Sequence, residues 1–200
     1  TIERAHPRRE QDRRTYRHHQ LFAEYLRAEL HRRAPERVPL LHQRAWRWYR
    51  DHGLFGRAVA HACASGDVGD AAEMVAAQWL SMVERGRVAT MRTWLGAFTD
   101  GQIESHAPLA VAAAWVCGFS GERDRAVRFA EAARRGHWTG PMPDGTASLE
   151  SAVAIMSAAL GLDGVSGMLS DARRAVDLEP PDGRWHAGAM VLLGEAQVLA

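Results

Sequence analysis

A glycine followed five residues later by an alanine recurs three times along the chain, at Gly53–Ala58, Gly66–Ala71 and Gly121–Ala126. Glycine at this point is typical of a helix end, because it adopts the left-handed conformation that closes the last turn. The alanine then falls in the first turn of the next helix, where a small side chain lets two helices approach closely. Repeated helix–turn–helix units of this kind predict antiparallel helix pairs that stack into a tetratricopeptide-like α-solenoid.

The apolar residues between these glycines recur at intervals of three and four, which is the helical period. Val68, Ala72, Val75, Trp79 and Met82 show the spacing clearly. No segment of strand length alternates with a period of two, so we predict an all-α chain. The predicted helices cover 18–33, the stretch from Pro39 to Gly53, 56–64, 67–85, 87–97, a stretch beginning at Pro108, 122–135, 146–160, 165–178 and a stretch beginning near Trp185. A turn is predicted at 99–106, and a glycine- and proline-rich break at 136–145.

The stretch Tyr16–Leu30 is an amphipathic helix by the same criterion. Phe22, Leu26 and Leu30 recur at every fourth residue, and Leu21 and Tyr25 flank them. These positions form a wide apolar stripe on one helical face. We therefore expect the later helices to dock in order behind this one.

Charge is distributed unevenly along the chain. Residues 1–50 hold 13 arginines and 6 acidic residues, whereas residues 51–200 hold 12 arginines and 18 acidic residues. The basic front could contact nucleic acid or another protein domain. We favour a protein domain, because no helix there shows the exposed Arg, Asn and Gln spacing that reads base edges.

Other sequence features bear on the cellular compartment of the protein and on whether the chain is part of a longer polypeptide. No apolar run of about 18 residues predicts a transmembrane helix, and the N-terminus shows no signal peptide. Cys63 and Cys117 lie in apolar helical runs, which favours reduced thiols and a cytoplasmic protein. The chain lacks an initiator methionine and stops within a predicted helix, so we expect it to be an internal piece of a longer polypeptide.

The first half of the chain contains a more specific set of sequence motifs. Three segments, in order, are Tyr16–Leu26 with its His19-Gln20-Leu21-Phe22-Ala23-Glu24-Tyr25-Leu26 core, Pro35–Tyr49, and Gly53–Ala62 followed by Ser65-Gly66-Asp67. Their order and spacing resemble the large ATP-binding LuxR-type transcriptional regulators of the maltose-activator type. The resemblance is strong over 16–99 and generic, tetratricopeptide-like, over 107–200. Thr15 and His18 depart from the aromatic residues that the family commonly has at these positions.

The resemblance implies an architecture. Residues 1–34 would be the C-terminal part of a winged-helix domain, 35–106 a helical linker with the first solenoid helices, and 107–200 truncated tetratricopeptide-like repeats. The family's phosphate-binding motif, G-x-x-x-x-G-K-[ST], is absent from these residues. ATP or ADP binding and ATP hydrolysis would therefore belong to an upstream nucleotide-binding domain, and DNA binding to a missing C-terminal domain. The chain itself is predicted to have no enzymatic activity, no cofactor of its own and no membrane contact.

His19 is the residue for which the resemblance implies chemistry. In related signal-transduction ATPases a winged-helix histidine approaches the ADP phosphate, and an imidazole can donate a hydrogen bond to it. The alternative is that His19 only packs or caps the helix start. Arg13, Arg14 and Arg17 could bind phosphate or a partner carboxylate, but a solvated basic surface is the interpretation that we favour. A metal pair of His18 and His19 is disfavoured, because adjacent helical residues point apart.

His137 and Trp138 are the second candidate site. Six other tryptophans have the helical spacing of core residues, whereas Trp138 lies in the 136–145 break beside His137. This pair could line a groove for a small-molecule effector or a protein partner, and packing of the loop is the alternative that we favour. Two functional hypotheses remain. In the first, the chain is the arbiter–sensor segment of an ATP-dependent transcriptional activator and couples nucleotide state to effector binding and self-association. In the second, it is a stand-alone helical-repeat interaction scaffold.

Overall fold

A computed structural model of the chain describes residues 20–200. Within that range all regular structure is helical, and no strand is present, which confirms the prediction of an all-α, solenoid-like fold. The helices are α1 Gln20–Arg33, α2 Arg37–Asp51, α3 Phe55–Ser65, α4 Val68–Glu84, α5 Val88–Leu95, α6 Asp100–Glu104, α7 Ala107–Phe119, α8 Arg123–Arg135, α9 Leu149–Leu160, α10 Gly164–Leu178 and α11 His186–Leu199.

The chain divides into two compact units, residues 1–38 and 39–200. In the first unit α1 carries a local ion pair, in which Glu29 binds Arg32 at 2.7 Å and also binds Arg33. The apolar side chains of Leu21, Tyr25 and Leu26 are exposed. The predicted end of a winged helix falls mostly on residues 1–19, which lie outside the described part of the chain.

In the second unit the repeated glycines and alanines take the positions predicted for them. Gly53, Gly66 and Gly121 have φ values of +70°, +89° and +74° and follow α2, α3 and α7. The paired alanines, Ala58, Ala71 and Ala126, are each the fourth residue of the next helix and are at most 1% exposed. Glycine is required where the backbone enters the left-handed region, and alanine where two helices touch.

Helix α7 forms the centre of this unit. Its residues from Ala107 to Cys117 are all buried, which is the pattern of a helix surrounded by neighbours on every side. It packs most extensively against α8 and also contacts α4 and α9, while α10 packs between α9 and α11. Short turns join most successive helices, as in helical hairpins.

The 99–106 segment differs from its prediction as a turn, because it contains the short helix α6. Thr99 caps this helix: its hydroxyl accepts from the Gln102 backbone N–H at 3.3 Å, and the Gln102 side chain accepts from the Thr99 N–H at 2.8 Å. This reciprocal pair is a capping box. A helix of five residues is too short to show apolar periodicity, but the Thr-x-x-Gln spacing was visible in the sequence.

Candidate functional site

A cavity of about 640 Å³ opens in the second unit between α8, the loop that follows it, α9 and α10. Volumes in the range of about 300–1,000 Å³ are usual for small-molecule sites. Both sequence-predicted residues, His137 and Trp138, line this cavity. His19 lies outside the described residues, as do Arg13, Arg14, Arg17 and His18, so their roles stay predictions.

Trp138 is half-buried, and its indole N–H is already used within the loop. The Nε1 atom donates to the Pro141 carbonyl oxygen at 3.2 Å. The ring centroid lies 5.9 Å from that of His106 at an interplanar angle of 53°. Trp138 therefore offers the cavity an aromatic ring rather than a free hydrogen-bond donor, while His137 beside it is exposed.

His106 supports this wall of the cavity from the start of α7. Its Nδ1 accepts from the Leu109 backbone N–H at 3.2 Å, as an N-cap. Burial lowers the pKa of His106, although Glu73 opposes the change. The neutral imidazole is the form that can accept this bond, and its proton is then on Nε2. The cap was hidden in the sequence, because histidine is an uncommon N-cap residue.

The loop that carries His137 and Trp138 is anchored at its far end by the buried residue Asp144. One carboxylate oxygen of Asp144 accepts from the Thr146 N–H and hydroxyl at 3.0 and 2.8 Å, and the other accepts from Trp79 Nε1 at 3.2 Å. The Asp144 carbonyl oxygen accepts from Trp185 Nε1 at 3.1 Å. These bonds join the loop to α4 and to the residue before α11, so the wall of the cavity has a fixed attachment.

Helix α9 enters the cavity wall with its N-terminus capped twice. The Ser148 hydroxyl accepts from the Ser151 N–H at 3.1 Å. Glu179, at the end of α10 and only 3% exposed, accepts from the Ala147 N–H at 3.0 Å and from the Ser151 hydroxyl. A carboxylate is favourable here because the helix dipole places positive potential at an N-terminus. The second oxygen of Glu179 is buried with no hydrogen-bond partner among the described residues.

Charged side chains line the cavity on its α8, α9 and α10 sides. The Arg174 guanidinium binds Glu150 through Nε at 2.9 Å and Nη2 at 2.5 Å. The Arg134 guanidinium binds Asp163 at 2.5 Å and the Ser157 hydroxyl at 2.8 Å. Both cations are therefore already paired with carboxylates of the protein.

Asp171 also lines the cavity and was not singled out by sequence reasoning. Burial raises the pKa of this carboxyl, and nearby Asp163 adds to the rise, while Arg134 and Arg174 oppose it. Nothing in the sequence distinguishes Asp171 from other acids on α10. Its position becomes apparent only when α8 and α10 are brought together.

The described residues contain no group of three His, Cys, Asp or Glu side chains arranged to hold a metal ion. Cys63 and Cys117 are both free, and burial raises the pKa of each thiol. Between residues 20 and 200 no helix has the length and apolarity needed to cross a membrane.

The fold and the cavity define an all-α protein of the helical-repeat class. Part of the chain is similar to the serine/threonine-protein kinase PknK of Mycobacterium tuberculosis and of Mycobacterium bovis. In each case the identity is 33% over 108 residues, which is 54% of this chain and 10% of the kinase. The chain thus matches about a tenth of the length of these curated relatives. No protein-family model matches the chain, and no solved structure matches it.

Proposed function

We propose that this chain is the arbiter–sensor segment of an ATP-dependent LuxR-type transcriptional regulator. In this role it couples the nucleotide state of an upstream domain to effector binding and self-association. The observation that carries the proposal is the cavity of about 640 Å³ that His137 and Trp138 line. A helical-repeat fold that carries a cavity of ligand size suits a sensor, because a bound ligand can change how neighbouring helices pack.

The proposal assigns chemistry to the longer polypeptide. Residues 1–34 would end the winged-helix domain, 35–106 would begin the solenoid, and 107–200 would be its first repeats. The segment carries no catalysis or cofactor of its own. ATP or ADP would bind the nucleotide-binding domain, with His19 near the phosphate, and DNA would be bound by a C-terminal domain in the cytoplasm.

The gene around this segment provides the first test. A P-loop upstream and a helix-turn-helix domain downstream would support the proposal, and the absence of both would exclude it. The second test measures the ADP retained by the purified full-length protein. We expect His19→Ala to change ADP retention or basal transcription.

The matched control is His31→Ala on α1. The His31 side chain is exposed, and among the described residues its hydrogen-bond partner is the Arg27 carbonyl oxygen, at 2.9 Å from Nδ1. It should therefore leave both measurements at the wild-type level. Wild-type retention and wild-type basal transcription in His19→Ala would remove the nucleotide role of this histidine.

A second candidate is favoured by the similarity to PknK: the chain would be a helical segment of a serine/threonine-protein kinase. It would then act on kinase activity rather than on transcription. A kinase catalytic domain encoded in the same reading frame would support this candidate over the first. If neither kind of domain is encoded, a stand-alone helical-repeat scaffold that binds a protein partner is the function that fits.

A further inference from the structure

Asp171 is a carboxylate in the cavity wall that has no hydrogen-bond or ion-pair partner between residues 20 and 200. It is only partly accessible, in the middle of α10. Its oxygens stay accessible from the cavity, so a ligand there can donate a hydrogen bond to a charged acceptor, which is stronger than a bond between neutral groups.

The cations around Asp171 are already engaged elsewhere. Arg134 points to Asp163 at 2.5 Å, and Arg174 to Glu150 at 2.5 Å. The lining itself holds two guanidinium groups, Arg134 and Arg174, and two carboxylates, Glu150 and Asp171. With Asp163, which binds Arg134 from outside the lining, three carboxylates face two cations. This net negative charge favours a ligand with one positive charge.

The remaining wall suits the apolar body of such a ligand. Leu149 and Val153 project from α9, Ala133 from α8, and the Trp138 ring lies on the loop side. Because the Trp138 indole N–H is bound to Pro141, the ring is left to make apolar and aromatic contacts. Aromatic rings pack well against other rings and also attract cations over their faces.

We propose that this cavity binds a small organic cation, an ammonium group on a short apolar or aromatic body, whose charge pairs with Asp171 and whose body packs against Trp138. This inference names the class of effector for the site in the proposed function and rests on that function for its biological role. The ammonium group donates to the Asp171 carboxylate. Arg134 and Arg174 stay in their protein ion pairs.

Three probes of nearly equal size separate the charge from the body. Phenethylamine carries the cation, phenethyl alcohol is neutral, and hydrocinnamate carries an anion. Binding to the wild-type chain is measured by isothermal titration calorimetry near neutral pH. Phenethylamine should bind about tenfold more tightly than the alcohol, since hydrogen bonds to charged groups are stronger than neutral ones, and hydrocinnamate should bind most weakly.

Asp171→Asn tests the residue, because it removes the charge and keeps the size. It should weaken phenethylamine binding about tenfold and leave the alcohol unchanged. Asp177→Asn is the matched control, since Asp177 lies on the same helix, is exposed, and does not line this cavity. Circular dichroism and the melting temperature of both variants show that they are folded before binding is compared.

Trp138→Phe adds a second, independent variant. It shortens the aromatic wall and should weaken all three probes, whereas the same change at exposed Trp48, outside the cavity, should weaken none. The proposal is overturned if hydrocinnamate binds best, if Asp171→Asn leaves phenethylamine binding unchanged, or if no probe binds. Tight binding of hydrocinnamate that Trp138→Phe weakens would reject the ligand class but keep the effector site. The gene context and ADP retention test the proposed function separately.

Discussion

The indole N–H of Trp46 donates a 2.7 Å hydrogen bond to the carboxylate of Asp67. Trp46 lies on α2 and is 3% exposed, and Asp67 immediately precedes α4. The same carboxylate oxygen accepts from the Ser65 hydroxyl at 3.0 Å and from Gln43 at 3.3 Å. One carboxylate therefore joins α2 to the turn between α3 and α4.

Trp46→Phe should lower the free energy of unfolding by about 2 kcal/mol, because it removes a hydrogen bond to a charged acceptor. Urea denaturation followed by far-UV circular dichroism measures the change. Trp48→Phe is the control, since Trp48 is on the same helix but 51% exposed. Equal midpoints for wild type and Trp46→Phe would show that the bond adds no stability.

The same bond predicts a pH dependence. The Trp46 indole N–H holds the pKa of Asp67 below its ordinary value of 3.8, and Ser65 and Gln43 add to this effect. A lowered folded-state pKa stabilises the protein above the unfolded value, and this stabilisation is lost as the pH falls through the folded value. The stability gap between wild type and Trp46→Phe should therefore narrow below about pH 3.8. A gap that stays constant there would mean that the effect is one of packing alone.

The environment of His61 predicts a second pH dependence of stability, in a higher pH range than that of Asp67. Its Nδ1 lies 2.8 Å from Nδ1 of His42, so one ring donates and the other accepts. Burial lowers the pKa of His61 from 6.5, and His42 and Arg57 lower it further. Below pH 6.5 the unfolded chain binds a proton that the folded chain does not, so stability falls as the pH falls.

His61→Gln should reduce the change of unfolding free energy with pH between pH 7 and the folded-state pKa of His61. Thermal melts across that range, compared with His52→Gln, measure the effect. His52 is exposed, its Nδ1 lies 2.7 Å from the Trp48 carbonyl oxygen, and its ring stacks on that of Trp48. A wild-type slope in His61→Gln would assign the pH dependence to other groups.

Ala71 tests the repeated signature. It is 0% exposed at the fourth position of α4, so two added methyl groups must displace a neighbouring helix. Ala71→Val should cost about 1–3 kcal/mol of unfolding free energy. Ala77→Val on the exposed face of the same helix controls for helix propensity. Chemical denaturation that finds the two variants equally stable would remove the packing role of the signature alanine.

Glu179 tests the buried cap of α9. Glu179→Ala leaves the Ala147 N–H and the Ser151 hydroxyl without their acceptor, and Ser151 is 0% exposed. Burying such unsatisfied groups should cost about 2 kcal/mol. Glu195→Ala at an exposed position of α11 is the control. If Glu179→Ala and Glu195→Ala both melt at the wild-type temperature, water replaces the cap.

Local pattern determined much of the fold. The spacing of Val68, Val75 and Trp79 identified α4, and Gly66 and Gly121 marked helix ends, because both signals depend only on residues within a few positions. The same logic missed α6, whose five residues are too few for a periodic signal. The start of the eighth predicted helix, at 146, differed from the observed start of α9 at Leu149, since Ser148 caps the helix there.

The candidate site also combines residues that the sequence identified with residues that only the structure revealed. The sequence alone singled out His137 and Trp138, because an aromatic residue in a glycine- and proline-rich break departs from the helical pattern around it. Only the tertiary structure brings Asp171 to the same cavity. Within residues 20–200 it has no ion-pair partner there, whereas Arg134 binds Asp163 and Arg174 binds Glu150. Trp79 likewise donates to Asp144 across 65 positions of sequence. Such pairings depend on how distant helices pack, and helical periodicity contains no information about which distant side chains will meet.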